Sequence, residues 1–337
     1  MSTSCRGTTA LALSLLMLAS GCAGDESQPP PREPVRRERP RLEPADVEIA
    51  FRRRCFDRRE CDRAGNGVFG AAARRRPPVR LTSDLSDRDP AWSPDGRRVA
   101  FARCDGADCD LWTLNVRTST EHRVTTGPHA DGDPSWSPDG NALVFQRCEP
   151  GRRARNSCEL WIAGTRGGPR RRLTRNDVAD GNPDWSWPLD RIVFDRGDCP
   201  SGTTSCARAS VLVMRPDGTH ERVLARHRYG AWEPQWDQTR PRIVYDACRN
   251  LCLRYEHDGQ GSPFVVLHLR RGRRIVRSRF ESAFAPSFSP GGRRLVYALR
   301  SGDDGTVTYL PLRGGRERTV YGDYYYEAFS PDWRTRS

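Results

Sequence analysis

The segment Trp92-Ser93-Pro94-Asp95-Gly96 returns as Trp136-Ser137-Pro138-Asp139-Gly140, 44 residues further on. A chain that repeats at such a period builds copies of one supersecondary unit, because a single copy cannot bury its apolar surface alone. The aromatic that opens each copy is read at Trp92, Trp136, Trp185, Trp236, Phe288 and Phe329. After it come turns at Ser93-Pro94-Asp95-Gly96, Ser137-Pro138-Asp139-Gly140, Ser289-Pro290-Gly291-Gly292 and Ser330-Pro331-Asp332. Proline presets φ at the second turn position and glycine takes the left-handed one, so each tetrapeptide predicts a tight hairpin. The copies at Trp185 and Trp236 have degenerate turns but keep the spacing and the strands that follow.

A second strand ("RRVAF", "RRLVY"), a third ("DLWTLNV", "SVLVM") and a fourth ("HRVT", "ERVL") follow in turn. Four short strands at this period read as propeller blades. The last copy holds only "YEAFSPDW" before the chain stops, and its missing strands are read at the front, in "VEIAFRRR", "GVFGA" and "PVRLT". The predicted fold is therefore all-β: a six-bladed β-propeller of four-stranded antiparallel blades over residues 47–337. Its last blade is closed by N-terminal strands, which removes the sheet edges.

These residues resemble the TolB-like propellers and their PD40 repeats, with "WSPDGRRVAF" at Trp92 carrying the likeness most fully. The resemblance implies an extracytoplasmic propeller that serves as a platform for protein partners. No N-terminal α/β domain of the kind TolB carries is read in this chain.

Residues 1–21 read as a secretory signal, with Arg6 before an apolar run from Ala10 to Leu18 that is too short to span a bilayer. Ala19-Ser20-Gly21-Cys22 resembles a bacterial lipobox, with Leu18 four places before the cysteine. Cys22 is thus the expected lipidation site, and plain secretion with nearby cleavage is the alternative. Residues 22–46 are rich in proline and arginine; at about 3.1 Å per residue such a linker spans roughly 70 Å as a tether. The chain is expected to be anchored by lipid to the bacterial cell envelope, outside the cytoplasm.

Of the 12 cysteines, Cys5 leaves with the signal and Cys22 takes the lipid. The rest form neighbouring pairs: Cys55/Cys61, Cys104/Cys109, Cys148/Cys158, Cys199/Cys206 and Cys248/Cys252. Each pair falls between the second and third strands of its own unit, where opposed Cα atoms lie within disulfide reach. Zinc would need two pairs brought together, whereas these occupy different sectors. Five local disulfides are expected, and they help so polar a chain, 36% hydrophobic and 29% charged, stay folded.

No G-x-S-x-G, HExxH, P-loop or EF-hand pattern is present. Neither cofactor nor metal is expected. Among the histidines, only His129 and His227 fall in loops approaching a channel. The formal charge is +13, yet every basic residue is arginine and these are dispersed, which reads as codon bias rather than as a nucleic-acid stripe.

Loops entering the first strands converge on one mouth of the channel. Three places before each aromatic stand Asp89, Asp133, Asn182, Glu233, Ala285 and Tyr326, with Asp87, Asp131 and Asp180 nearby. An aromatic sector adds Tyr229, Trp232, Phe280, Phe284, Tyr324 and Tyr325. The binding residues expected are Asp89, Asp131, Asp133, Asp180, Trp232, Glu233, Tyr325 and Tyr326, suited to a cationic or amphipathic segment of an envelope protein or peptide, or to a bound cation. A plainer alternative has the acids capping turns and the aromatics packing. The function expected is that of a monomeric, non-catalytic envelope platform. Alternatives are a lyase or hydrolase acting on an envelope glycan in the channel, and a purely structural envelope component.

Overall fold

The computed structural model describes residues 47–55, 66–72, 77–149, 158–198, 208–227, 231–247, 263–277, 283–301, 304–323 and 326–334. The expected signal, Cys22 and the expected linker lie outside them. All regular structure among the described residues is β, and it forms a β-propeller of four-stranded antiparallel blades.

Strands Ala179–Ser186, Arg191–Asp198, Arg208–Met214 and Arg222–His227 make one blade. Ala231–Trp236, Arg242–Ala247, Pro263–His268 and Gly272–Arg277 make another, and Ala283–Phe288, Arg294–Ser301, Asp304–Pro311 and Arg318–Asp323 a third. An eight-stranded sheet holds two further four-stranded sets, beginning at Arg88 and at Ala130, which are joined by a single parallel bridge between Cys109 and Ala130. In the remaining sheet Tyr326–Trp333 pairs with Ile49–Cys55, followed by Gly67–Ala71 and Val79–Arg80. The last strand of the chain thus completes the blade that its first three strands begin.

The core lies between blades. Trp92 packs with Val47 and Val68 of the preceding blade, Trp136 with Ala100 and Leu111, and Trp333 with Val296 and Val307. Burying an indole of about 200 Å² at about 25 cal/mol/Å² contributes roughly 5 kcal/mol as an upper estimate. One aromatic per blade therefore both fixes the repeat and holds neighbouring blades together.

The turns form as their sequence requires. Ser93 Oγ donates to Asp95 Oδ1 at 2.6 Å and accepts the Arg98 N–H at 2.9 Å, and Gly96 takes φ 63°. Ser137, Asp139 and Gly140 repeat the arrangement.

Two of the five expected disulfides fall within the described residues. Cys104 is joined to Cys109 and Cys148 to Cys158, each between directly opposed residues with Cα atoms 4.0 Å apart. Both lie between the second and third strands of their sets, where the spacing places them. Cys55 ends the strand Ile49–Cys55, but its expected partner Cys61 lies outside the described residues. Cys199, Cys206, Cys248 and Cys252 lie outside them as well. The pairs Cys55/Cys61, Cys199/Cys206 and Cys248/Cys252 therefore stay expectations drawn from spacing.

One reading of the sequence is corrected here. Phe329 does not hold the aromatic position of the last blade. Trp333 lies opposite Ile49 and packs in the core, while Phe329 lies opposite Arg52. Ser330-Pro331-Asp332 is accordingly part of a strand and not a turn. The last unit keeps the pattern of Asp89-Pro90-Ala91-Trp92, in the form Ser330-Pro331-Asp332-Trp333. Proline stands two places before the aromatic at Pro90, Pro134, Pro183, Pro234, Pro286 and Pro331. That proline, rather than the Ser-Pro-Asp turn, is the signal that would have placed Trp333.

Candidate functional site

Each innermost strand is interrupted at that proline. Pairing with the second strand shifts register between Arg88 and Ala91, Gly132 and Ser135, Gly181 and Asp184, Trp232 and Gln235, and Phe284 and Ser287. Proline has no N–H to give to a ladder, so a bulge there loses no hydrogen bond. The residue before it takes a left-handed φ: Asp89 54°, Asp133 49°, Asn182 45°, Glu233 52° and Ala285 53°. A non-glycine residue held there costs on the order of 1 kcal/mol or more. The bulge re-aims these side chains, and all five residues line the central channel.

The bulge separates two sets of acids. Asp87, Asp131 and Asp180, before it, are buried in paired contacts with second-strand arginines: Arg103 at 2.7 and 2.9 Å, Arg147 at 2.6 and 2.7 Å, and Arg196 at 2.5 and 3.0 Å. Arg103 and Arg147 also stack over Trp112 and Trp161, at 4.7 and 5.0 Å. Asp131 and Asp180 therefore sit in blade ion pairs and do not line the channel.

Asp89, Asp133 and Glu233, at the bulge, do line it. Burial, and then the Asp89 carboxylate, push Asp133 well above the usual carboxylate range; Glu233 and Asp195 add to this and Arg88 opposes it. Arg88 lies 3.4 Å from Asp89. Asp195 accepts Asn182 Nδ2 at 2.8 Å and the Glu233 N–H at 2.9 Å. Burial and the nearby Glu233 push Asp246 up to about 8. Acids thus outnumber the one arginine placed among them.

Deeper in the channel, the residue before each aromatic reaches the next blade. Asp184 Oδ2 accepts the Trp236 N–H at 2.6 Å, Ser135 Oγ accepts the Trp185 N–H at 3.0 Å, and Asp332 Oδ2 accepts the Trp92 N–H at 2.7 Å. The channel edge of an innermost strand carries N–H groups without a strand partner, and these side chains satisfy them. Sequence reading missed Asp184, Asp332, Asp195, Asp246 and Arg88. The recurrence of Pro-Asp-Trp at 183–185 and 331–333 was the available signal for the first two.

The remaining expected residues are placed as follows. Trp232 packs against the core between its blade and the preceding one. Tyr326 begins the last strand, opposite Cys55. Tyr229, Phe280, Tyr324 and Tyr325 lie outside the described residues. His129 Nδ1 stands 3.7 Å from Glu149, and His227 Nε2 is 3.1 Å from the Tyr245 hydroxyl; neither lines the channel. Among the described residues no group of three His, Cys, Asp or Glu side chains is arranged to hold a metal ion.

Residues 79–201 match the family model of the TolB beta propeller domain, PD40. That segment carries the repeat of the TolB beta propeller domain. Among solved structures, this propeller is similar to TolB from Acinetobacter baumannii, with a TM-score of 0.68 at 19% identity over 86% of this chain and 67% of that one. It is similar to a chain of the nidogen/laminin complex, with a TM-score of 0.63 at 10% identity over 86% of this chain and 100% of that one. An oligogalacturonate lyase in complex with manganese also matches, at a TM-score of 0.50 and 12% identity over 82% and 74% of the two chains. At these identities the likeness is one of fold, shared by enzymes and non-enzymes. No curated protein matches the sequence.

Proposed function

We propose that this TolB-like propeller is a non-catalytic binding platform of the bacterial cell envelope, monomeric and lipid-anchored through Cys22. In this reading, residues 1–21 are the signal, 22–46 the tether and 47–337 the propeller. We count six blades, taking the eight-stranded sheet as two blades joined by one bridge. The mouth receives a cationic segment of an envelope protein or peptide. The observation that carries the reading is the ring of left-handed bulges, which turns Asp89, Asp133 and Glu233 into one channel beside Asp195. An opposite charge beside clustered carboxylates favours their ionised form, so a docked basic side chain relieves the crowding of these acids.

The test is titration of the propeller with a short lysine-rich peptide and with its glutamate counterpart. Selective binding of the basic peptide is expected. Asp89→Asn, Asp133→Asn and Glu233→Gln together should weaken it at least about tenfold, about 1.4 kcal/mol, while Asp95→Asn and Asp139→Asn leave it unchanged. Equal loss from both sets would sink the proposal for this face. Turnover of an acidic envelope polysaccharide by the purified chain would replace the platform with the enzyme reading. Cys22→Ser should lose acylation, and a substituted chain that still incorporates labelled fatty acid would overturn the anchor.

A further inference from the structure

The chain enters the propeller at an end that carries exposed arginines. In the set beginning at Arg88 the first strand ends in the Ser93-Pro94-Asp95-Gly96 turn, the second strand returns, and the second–third hairpin carries the disulfide. First–second and third–fourth turns therefore share one end of the blades, opposite the disulfide hairpins. These turns carry Arg97, Arg117, Arg166, Arg215, Arg271 and Arg313, all exposed and none held in an ion pair among the described residues. The acids of the same turns are bonded locally. Asp95 accepts from Ser93 and the Arg97 N–H, Asp139 from Ser137 and the Asn141 N–H, Asp217 from Thr219, and Asp237 is buried against Arg242.

The first described strand starts at this end. Ile49 lies opposite Trp333, at the turn end of the last strand, and Glu48 O accepts the Arg334 N–H at 2.6 Å. The chain thus enters the propeller at Val47, on the arginine-bearing end. A tethered body meets its membrane most readily with the end from which the tether leaves.

We infer that the turn end of the propeller is a docking surface for an anionic phospholipid bilayer. The inference deepens the envelope reading and rests on it for the side of the membrane concerned. Arginines near an anionic surface add attraction one by one and lose it within a Debye length, so the binding must be salt-dependent. Guanidinium groups suit lipid phosphates because their donors pair in a fork.

The test separates this surface from the anchor. Residues 40–337 contain every strand pairing of the ring and lack both Cys22 and most of the tether. This chain is sedimented with vesicles of phosphatidylcholine alone and with added phosphatidylglycerol. Binding to the anionic vesicles only, lost in high salt, is expected. Changing Arg117, Arg166, Arg215, Arg271 and Arg313 together to Gln should reduce it at least about tenfold, with the melting transition kept. Changing Asp105 and Asp108, exposed on the opposite hairpin, to Asn should not weaken it. No binding to anionic vesicles, equal binding to neutral ones, or binding that survives the five substitutions would overturn the inference, whatever the fate of Cys22.

Discussion

Asp332, on the last strand of the chain, accepts the backbone N–H of Trp92, on the first strand of the next blade, at 2.7 Å, and Ser287 Oγ reaches its other oxygen at 3.3 Å. One carboxyl group therefore spans the seam where the ring closes. Asp332→Ala removes the acceptor and leaves the Trp92 N–H unsatisfied inside the channel, at a cost of about 1–3 kcal/mol. Asp332→Asn keeps an acceptor oxygen and should retain most of the stability. Urea unfolding of the two variants checks this, and equal losses would show that the charge matters rather than the hydrogen bond.

Stability should fall as pH rises from about 4 to about 8. Burial pushes Asp332 up to about 6, Asp184 to about 7 and Asp246 to about 8, against an unfolded value of about 4. Between the unfolded and folded values the native state holds more protons than the unfolded chain, so raising pH favours unfolding, and above about 8 the effect levels off. Below about 4 the sign reverses. Turn carboxylates at Asp95 and Asp139, held below their usual range by bonds to Ser93 and Ser137, become protonated and lose those contacts. Melting curves across this range check the trend, and Asp184→Asn should flatten the fall between about pH 4 and about pH 7.

Arg147 and Asp131 are 5% and 1% exposed, so removing either leaves an uncompensated buried charge. Asp131→Ala should cost about 3–5 kcal/mol. At the corresponding opposed positions other blades carry Ala231 with Ala247 and Ala283 with Leu299. Asp131→Ala combined with Arg147→Leu therefore copies an arrangement the fold already accepts and should recover much of the loss. A double variant as unstable as Asp131→Ala alone would show that the ion pair holds more than itself.

Cys104→Ser with Cys109→Ser reopens a loop with a sequence separation of 5, and Cys148→Ser with Cys158→Ser one of 10. Chain entropy gives about 2 kcal/mol for the shorter loop and about 2.7 for the longer. The second double variant should melt lower than the first, as differential scanning calorimetry would show; the reverse order would point to strain or packing at the hairpins.

The repeat, the strands, the two cysteine pairs at 104/109 and 148/158 and the split blade were all legible in the chain, because each depends on local chemistry. A proline-glycine turn, an apolar alternation and a cross-strand cysteine pair look alike wherever they stand. The role of each acid was not legible. Asp131 and Asp133 are two residues apart, and strict alternation would aim both side chains at the same side. The bulge between them adds a residue, so Asp131 turns to Arg147 and Asp133 to the channel. Nor could period alone choose between Phe329 and Trp333, since both are aromatic and only the register against Ile49–Cys55 assigns the core position. The sequence by itself determined the blades. Ring closure decided which side chains meet, because the N–H of Trp92 and the carboxylate of Asp332 are 240 residues apart and become neighbours only when the last strand pairs with the first.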